Sequence, residues 1–74
     1  MKEFILTFGS KSDHRHVMSD NTVFDFTHAM QFEASDYKDA RRKVFKAFGD
    51  KWAFIYPADG FRNMMKINII KYKL

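Results

Sequence analysis

The sequence predicts an α+β fold, a small two-layer sandwich in which one amphipathic helix packs on one face of a sheet of three or four mainly antiparallel strands, in the order β-β-α-β-(short α)-β. Three observations lead to this prediction. Apolar residues alternate at every second position in several segments, and in one segment they recur at three- and four-residue spacing. The length of 74 residues allows a single domain, residues 1–74. A chain this short needs large side chains to fill a core, and 18% of its residues are aromatic.

The first predicted strand begins near residue 2. Phe4, Leu6 and Phe8 share one face at a spacing of two, and Gly9 ends the segment. Ile5 lies on the opposite face, which indicates a strand that is covered in part on both sides, as a central strand is.

A polar, turn-rich segment follows at residues 10–21. Its composition predicts a loop or a loosely formed hairpin tip. It is the longest irregular stretch that the sequence predicts, and long loops in small domains often carry function.

The most regular alternation in the chain spans residues 23–34. One face of this segment carries Phe24, Phe26, His28, Met30, Phe32 and Ala34. Alternation over a dozen residues predicts one long strand, or a strand bent by a single bulge.

Residues 36–48 are predicted to form the helix. Ser35 and Asp36 are suitable N-cap residues, Asp39 suits the positive end of the helix dipole, and Gly49 stands where a C-cap needs a positive φ. The predicted buried stripe consists of Tyr37, Ala40, Val44, Ala47 and Phe48. The rest of the helix surface carries the cations Lys38, Arg41, Arg42, Lys43 and Lys46.

The segment 52–56 is apolar on both faces, which predicts a central strand ended by Pro57. Its aromatic residues Trp52, Phe54 and Tyr56 are interpreted as core rather than as a binding platform.

Two further elements are predicted near the end of the chain. A short helical turn after residue 60 would place Phe61, Met64 and Met65 together, either to complete the core or to contribute to a partner or dimer interface. Residues 67–74 contain β-branched residues followed by lysines at alternate positions, which is typical of an edge strand.

The composition excludes several classes of function. Without cysteine the chain has no disulfide scaffold, no thiolate metal site and no cysteine nucleophile. No apolar run approaches the roughly 18–20 residues of a membrane span, and the chain starts on a strand-like segment rather than a secretory signal, which predicts a cytoplasmic location and no membrane partner. The sequence also carries no recognisable catalytic motif, so neither an enzyme nor a cofactor is expected.

The three histidines are candidates for metal ligation or acid–base catalysis. His14 and His16, with Asp13, Asp20 and His28 as companions, form the one candidate metal cluster, but two histidines in a polar loop are more often solvated, and no metal is predicted. His28, on the aromatic face, suggests either an acid–base group in an apolar pocket or a core-edge histidine with one hydrogen-bond partner. The second interpretation is favoured because no nucleophile or paired carboxylate is recognisable beside it.

The helix cations also allow two interpretations. Together with a net charge of +4 they could form a strip that binds phosphate groups. Charged residues are equally the ordinary covering of an exposed helix face, and Asp39 and Lys43 are spaced as an i,i+4 pair.

Two motifs resemble a known group of proteins. Leu6-Thr7-Phe8-Gly9 ends the first strand, and residues 45–56 read F-x-x-F-G-D-K-W-A-F-x-Y after a helix that contains Ala40-Arg41. These motifs resemble small proteins encoded by phages and prophages, over the first strand and residues 32–56, about half of the chain. The chain departs from the group in its longer 10–21 loop and its Lys- and Ile-rich end. The resemblance implies a phage setting and a location in the host cytoplasm, without a defined activity.

The leading functional hypothesis is a non-enzymatic accessory protein that binds a host protein or nucleoprotein complex and inhibits or redirects it sterically, as anti-CRISPR proteins do. The predicted contact residues are Arg41, Arg42 and Lys46 on the helix and His14, Arg15 and His16 in the loop. Two alternatives stay open: direct binding of single-stranded nucleic acid through the basic helix face, and a structural protein that self-associates, for example as a homodimer.

Overall fold

The structure is a computed structural model that describes residues 1–11, 14–63 and 66–74. Its fold is α+β, with one helix, a mixed four-stranded sheet and a separate pair of short strands. In chain order the elements are β1 (Lys2–Thr7), β2 (His16–Val17), β3 (Val23–Phe24), β4 (His28–Ala34), α1 (Tyr37–Phe48), β5 (Phe54–Pro57), a 3₁₀ turn (Ala58–Gly60) and β6 (Asn68–Lys71).

The four-stranded sheet has the order β5-β1-β4-β6. β1 pairs antiparallel with both β4 and β5, while β6 runs parallel to β4 at the other edge. A parallel pair needs a long connection, and here the chain passes through α1 and β5 before it returns as β6. The predicted central position of the first strand is therefore confirmed, as is the edge position of the last strand.

The core lies between α1 and one face of the sheet. In the β1–β4 register Phe4 lies opposite Phe32 and Leu6 opposite Met30, so these four side chains share the face that the helix covers. The helix contributes Ala40, Val44 and Phe48 to the same cluster. Each fully buried Phe or Leu side chain stabilises the folded state by about 1.5–3 kcal/mol.

Phe8 joins the layers of this core. Its ring centroid lies 5.4 Å from that of Phe24 on β3 and 5.5 Å, edge to face, from that of Phe48 on the helix. Phe8 is fully buried, so one ring links β3, the end of β1 and the end of α1.

Local side-chain chemistry defines both ends of α1. The Asp36 carboxylate accepts a hydrogen bond from the Asp39 N–H at 2.8 Å, and the Gly49 N–H donates to the Phe45 carbonyl at 2.9 Å. Gly49 has φ +63° and ψ −125°, a conformation that favours glycine. The predicted helix is confirmed, but its buried stripe is narrower than expected because Tyr37 and Ala47 are exposed.

The prediction of one long strand over residues 23–34 was wrong. β3 ends at Phe24 and β4 begins at His28, with a turn between them. In this turn the Asp25 carboxylate accepts hydrogen bonds from the Thr27 N–H at 2.9 Å and from the Thr27 hydroxyl at 2.6 Å, which offers the backbone an alternative to strand pairing. Phe26, predicted on the buried face, is 64% exposed at this turn.

The prediction of a central strand over residues 52–56 was also wrong. β5 is an edge strand, and among the described residues it pairs with β1 alone. Ile55 lies opposite Leu6 and enters the core, so Phe54 and Tyr56, predicted as core, lie on the other face and are exposed. Trp52 is half-buried at the edge of the core, and its Nε1–H donates to the Gly49 carbonyl at 2.7 Å.

The structure describes part of each of the two segments predicted as irregular or helical. His16 and Val17 pair with Phe24 and Val23, which agrees with the hairpin alternative for part of the 10–21 loop. A 3₁₀ turn spans Ala58–Gly60, and Phe61 follows it in an extended conformation. The predicted helical turn after residue 60 includes Met64 and Met65, which lie outside the described residues.

Candidate interaction surfaces

The exposed side of α1 carries the predicted cationic contacts. Arg41, Arg42, Phe45 and Lys46 are all exposed, and these four residues are called here the outer helix face. The guanidinium carbon of Arg41 lies 5.1 Å from the centroid of the Phe45 ring, and that ring meets the Trp52 ring edge to face at 5.5 Å. The i,i+4 spacing along the helix places Arg41 over Phe45, so the cation is held against an aromatic surface.

The cations of the helix differ in whether a carboxylate neutralises them. Arg42 donates to the Asp39 carboxylate at 2.5 Å, and Lys43 lies 3.7 Å from the same carboxylate and donates to the Glu33 carbonyl at 3.1 Å. The Ser35 backbone N–H and then the Arg42 guanidinium lower the pKa of Asp39 to about 2. Across residues 1–11, 14–63 and 66–74 no ion pair involves Arg41 or Lys46, so these two carry most of the uncompensated charge of the outer helix face.

The predicted loop histidines are anchors for the loop. His14 Nδ1 lies 2.6 Å from the Phe8 carbonyl and His16 Nε2 lies 2.7 Å from the Lys51 carbonyl. A carbonyl oxygen only accepts, so each of these nitrogens carries the proton that it donates. The His16 ring also packs 4.5 Å from the Phe48 ring at the end of the helix. Both imidazoles therefore attach the loop to the body of the protein.

Arg15, between the two histidines, is exposed. Its chain neighbour His16 contacts Phe48, the last residue of α1. Arg41, Arg42 and Lys46 are exposed on the helix, whereas the imidazoles of His14 and His16 hydrogen-bond to backbone carbonyls.

A second polar cluster surrounds His28 at the start of β4. Its Nδ1 lies 2.8 Å from the Asp25 carboxylate and 2.8 Å from the Thr27 hydroxyl. Hydrogen bonds from the Thr27 side chain, from His28 and from the Thr27 backbone lower the pKa of Asp25 to about 2. The cluster closes the turn between β3 and β4, and both ionisable side chains are about one quarter exposed.

The described residues contain no group of three or more His, Asp or Glu side chains placed to hold a metal ion. Asp13, a predicted companion of His14 and His16, lies outside the part of the chain that the structure describes.

The face of the sheet opposite the helix carries an aromatic surface that the sequence did not predict. Phe54 is 63% exposed and Tyr56 is 36% exposed, with their ring centroids 6.1 Å apart, and the Phe61 ring lies 5.3 Å from Tyr56. These three residues are called here the open sheet face. They line a half-open groove of about 380 Å³ to which Phe26 and Arg62 also contribute.

Close backbone packing shapes the floor and walls of this groove. Gly9 has φ +71°, and a Cβ atom at this position would lie 3.2 Å from the Ala53 Cβ. The Asn63 side chain both donates to the Ile67 carbonyl and accepts from the Ile67 N–H, at 2.8 and 2.9 Å, and both residues line the groove. Two features of the sequence pointed to this surface: Ile5, an apolar residue that faces away from the helix, and the segment 52–56, which is apolar on both faces.

Comparison with protein-family models, with curated proteins and with solved structures gives no match for this chain. Its resemblance to phage-encoded proteins remains a hypothesis. Within the described residues, no helix combines the length and the apolar character that crossing a membrane requires.

Proposed function

We propose that this chain is a non-enzymatic accessory protein of phage type that binds a host protein or nucleoprotein complex through its outer helix face, and inhibits or redirects that target by covering its working surface. The main observation in support of this proposal is that Arg41 lies over the exposed Phe45 ring. The Trp52 ring packs edge to face with the same Phe45 ring.

Arginine and aromatic side chains are enriched at the energetic centres of protein interfaces. An arginine already held against a ring loses less side-chain freedom on binding than one that moves freely in solvent. Phe45 is 43% exposed, so apolar surface remains available beside the cation. This combination supports a protein contact more than the ordinary solvated helix face that lysines alone would form.

The charges favour an acidic partner surface. Lys46 and Arg15 extend the positive charge from Arg41 towards the carboxyl end of the helix, and the whole chain carries a net charge of +4. Complementary charge of this kind accelerates association and disfavours partners of the wrong sign. His14 and His16 contribute by holding Arg15 in place rather than by direct contact.

Charge reversal tests this proposal. The tagged double variant Arg41→Glu/Arg42→Glu is expected to lose a protein that the wild type captures from nuclease-treated host lysate, because an acidic partner is then repelled. Lys71→Glu is the matched control, because it reverses the charge of an exposed lysine on β6, on the side of the sheet that the helix does not cover.

Circular dichroism verifies that each variant is folded. If repulsion between Asp39 and a glutamate at position 42 unfolds the double variant, Arg41→Glu alone takes its place. Capture that nuclease treatment abolishes would show that nucleic acid bridges the contact. Equal capture by the wild type and the folded charge-reversal variant would refute the outer helix face as the binding surface.

A further inference from the structure

We propose that the open sheet face binds a single strand of nucleic acid by stacking unpaired bases on Phe54, Tyr56 and Phe61. This site lies on the opposite side of the sheet from the outer helix face and does not depend on the function proposed for that face.

The three rings form a continuous row. Phe54 and Tyr56 are two residues apart on β5, so they project from the same face, and Phe61 continues the row beyond the 3₁₀ turn. The ring centroids are 6.1 and 5.3 Å apart and the ring planes are inclined by 46° and 49°, so the rings are not stacked on one another. Phe54 is 63% exposed and Tyr56 is 36% exposed, so the row presents aromatic surface to planar groups, and every nucleic-acid base has a planar face.

The sheet beside Tyr56 is apolar on this face. Ile5, the neighbour of Tyr56 in the β1–β5 pair, is 2% exposed. Beyond Phe61 in the chain, the Asn63 side chain makes two hydrogen bonds with the Ile67 backbone. A groove of about 380 Å³ falls within the size range of small-ligand sites and is half open, as a strand that enters and leaves requires.

The charge around the groove favours an anionic occupant. Arg62 is the one charged side chain among the described residues that line it. Lys11 and Lys66 are exposed, and they are the chain neighbours of the lining residues Ser10 and Ile67. A second copy of this chain would bring two Arg62 side chains and two charges of +4 together, whereas a phosphate backbone neutralises them.

Fluorescence anisotropy with a labelled oligonucleotide of about 12 unpaired thymidines tests the proposal. Binding in the micromolar range is expected at about 50 mM salt, with affinity that falls steeply as salt rises. A duplex of the same length is expected to bind at least about tenfold more weakly, because its bases are not free to stack.

Matched variants separate stacking from general apolar or electrostatic contact. Phe54→Leu is expected to weaken binding about 5- to 150-fold, as is Tyr56→Leu, while Phe54→Tyr retains affinity because it keeps an aromatic face. Arg62→Gln is expected to flatten the slope of log affinity against log salt by about 0.7. Arg41→Glu, on the outer helix face, is expected to leave stacking unchanged, which keeps failure of this proposal distinct from failure of the helix proposal.

Three results would overturn the inference. The first is that the oligonucleotide fails to bind at about 50 mM salt. The second is that it binds but that Phe54→Leu and Tyr56→Leu leave its affinity unchanged. The third is that sedimentation detects a dimer that Phe54→Leu dissociates, because the surface then serves self-association. Phe54 is 63% exposed, so its variants are expected to fold, and circular dichroism verifies this for each of them.

Discussion

Gly49 determines where the helix ends and where the chain turns towards β5. Its φ of +63° and ψ of −125° are disfavoured for residues with a Cβ, and its N–H and carbonyl bind Phe45 and Trp52. We expect Gly49→Ala to lower the free energy of unfolding by about 1–2 kcal/mol because alanine is strained there.

Thermal unfolding measures this effect as a decrease in Tm of about 4–8 °C per kcal/mol for a domain of this size. Gly60→Ala is the matched control, since nothing lies within 4 Å of a Cβ at that position and its φ is not positive. Equal Tm values for the two variants would show that backbone strain at position 49 is not what ends the helix.

Adjacent residues on β5 explain why part of the site escaped prediction. Ile55 and Phe54 are both large and apolar, and their alternation reveals two faces without telling which one the helix covers. That choice follows from the pairing of Ile55 with Leu6, a contact between residues far apart in the sequence. Arg41 and Lys46 could be placed on the helix surface from local spacing alone.

At the scale of elements, the turn between β3 and β4 confers a dependence of stability on pH. The pKa of Asp25 is about 2, below its ordinary value of 3.8, because Thr27 and His28 donate hydrogen bonds to the carboxylate. A carboxylate with a lowered pKa contributes stability that is fully present above about pH 4 and is lost as pH falls towards 2. We expect Asp25→Asn to be less stable than the wild type at pH 7 and to lose less stability between pH 4 and pH 2.

Chemical denaturation at a series of pH values measures this difference. Asp39, whose pKa is also about 2, retains its own contribution in the variant, so the pH dependence is reduced rather than abolished. Asp59→Asn on the 3₁₀ turn serves as the control for loss of one carboxylate. An unaltered pH profile in Asp25→Asn would refute the role of this turn.

Elements with local signals were predicted, and elements that depend on distant contacts were not. β1 and α1 carry periodic patterns with their own end signals, such as Asp36 and Gly49 for the helix. The alternation over residues 23–34 continued through the Asp25 turn by coincidence, because Phe26 keeps the period while its side chain is exposed. The period-two pattern depends on side-chain type alone and does not show the hydrogen bonds that Asp25 accepts from Thr27. Those hydrogen bonds form the turn that separates β3 from β4.

At the scale of the whole molecule, one helix on one face of a sheet leaves two opposite surfaces. The molecule measures 29 × 27 × 21 Å, and the shortest dimension matches one helix layer and one sheet layer. The outer helix face and the open sheet face are therefore separated by about two layers, and one flat partner surface contacts only one of them. The two proposed binding surfaces therefore do not compete for the same side of the molecule.

The dissociation constant of the captured protein partner, measured for wild type, Arg41→Glu and Lys71→Glu, tests the central claim most directly. An interface centred on the arginine and the Phe45 ring predicts that Arg41→Glu binds at least about 30-fold more weakly, the effect of a residue at an energetic centre, while Lys71→Glu binds within about threefold of wild type. Equal weakening by both substitutions, or by neither, would contradict a binding role for the outer helix face.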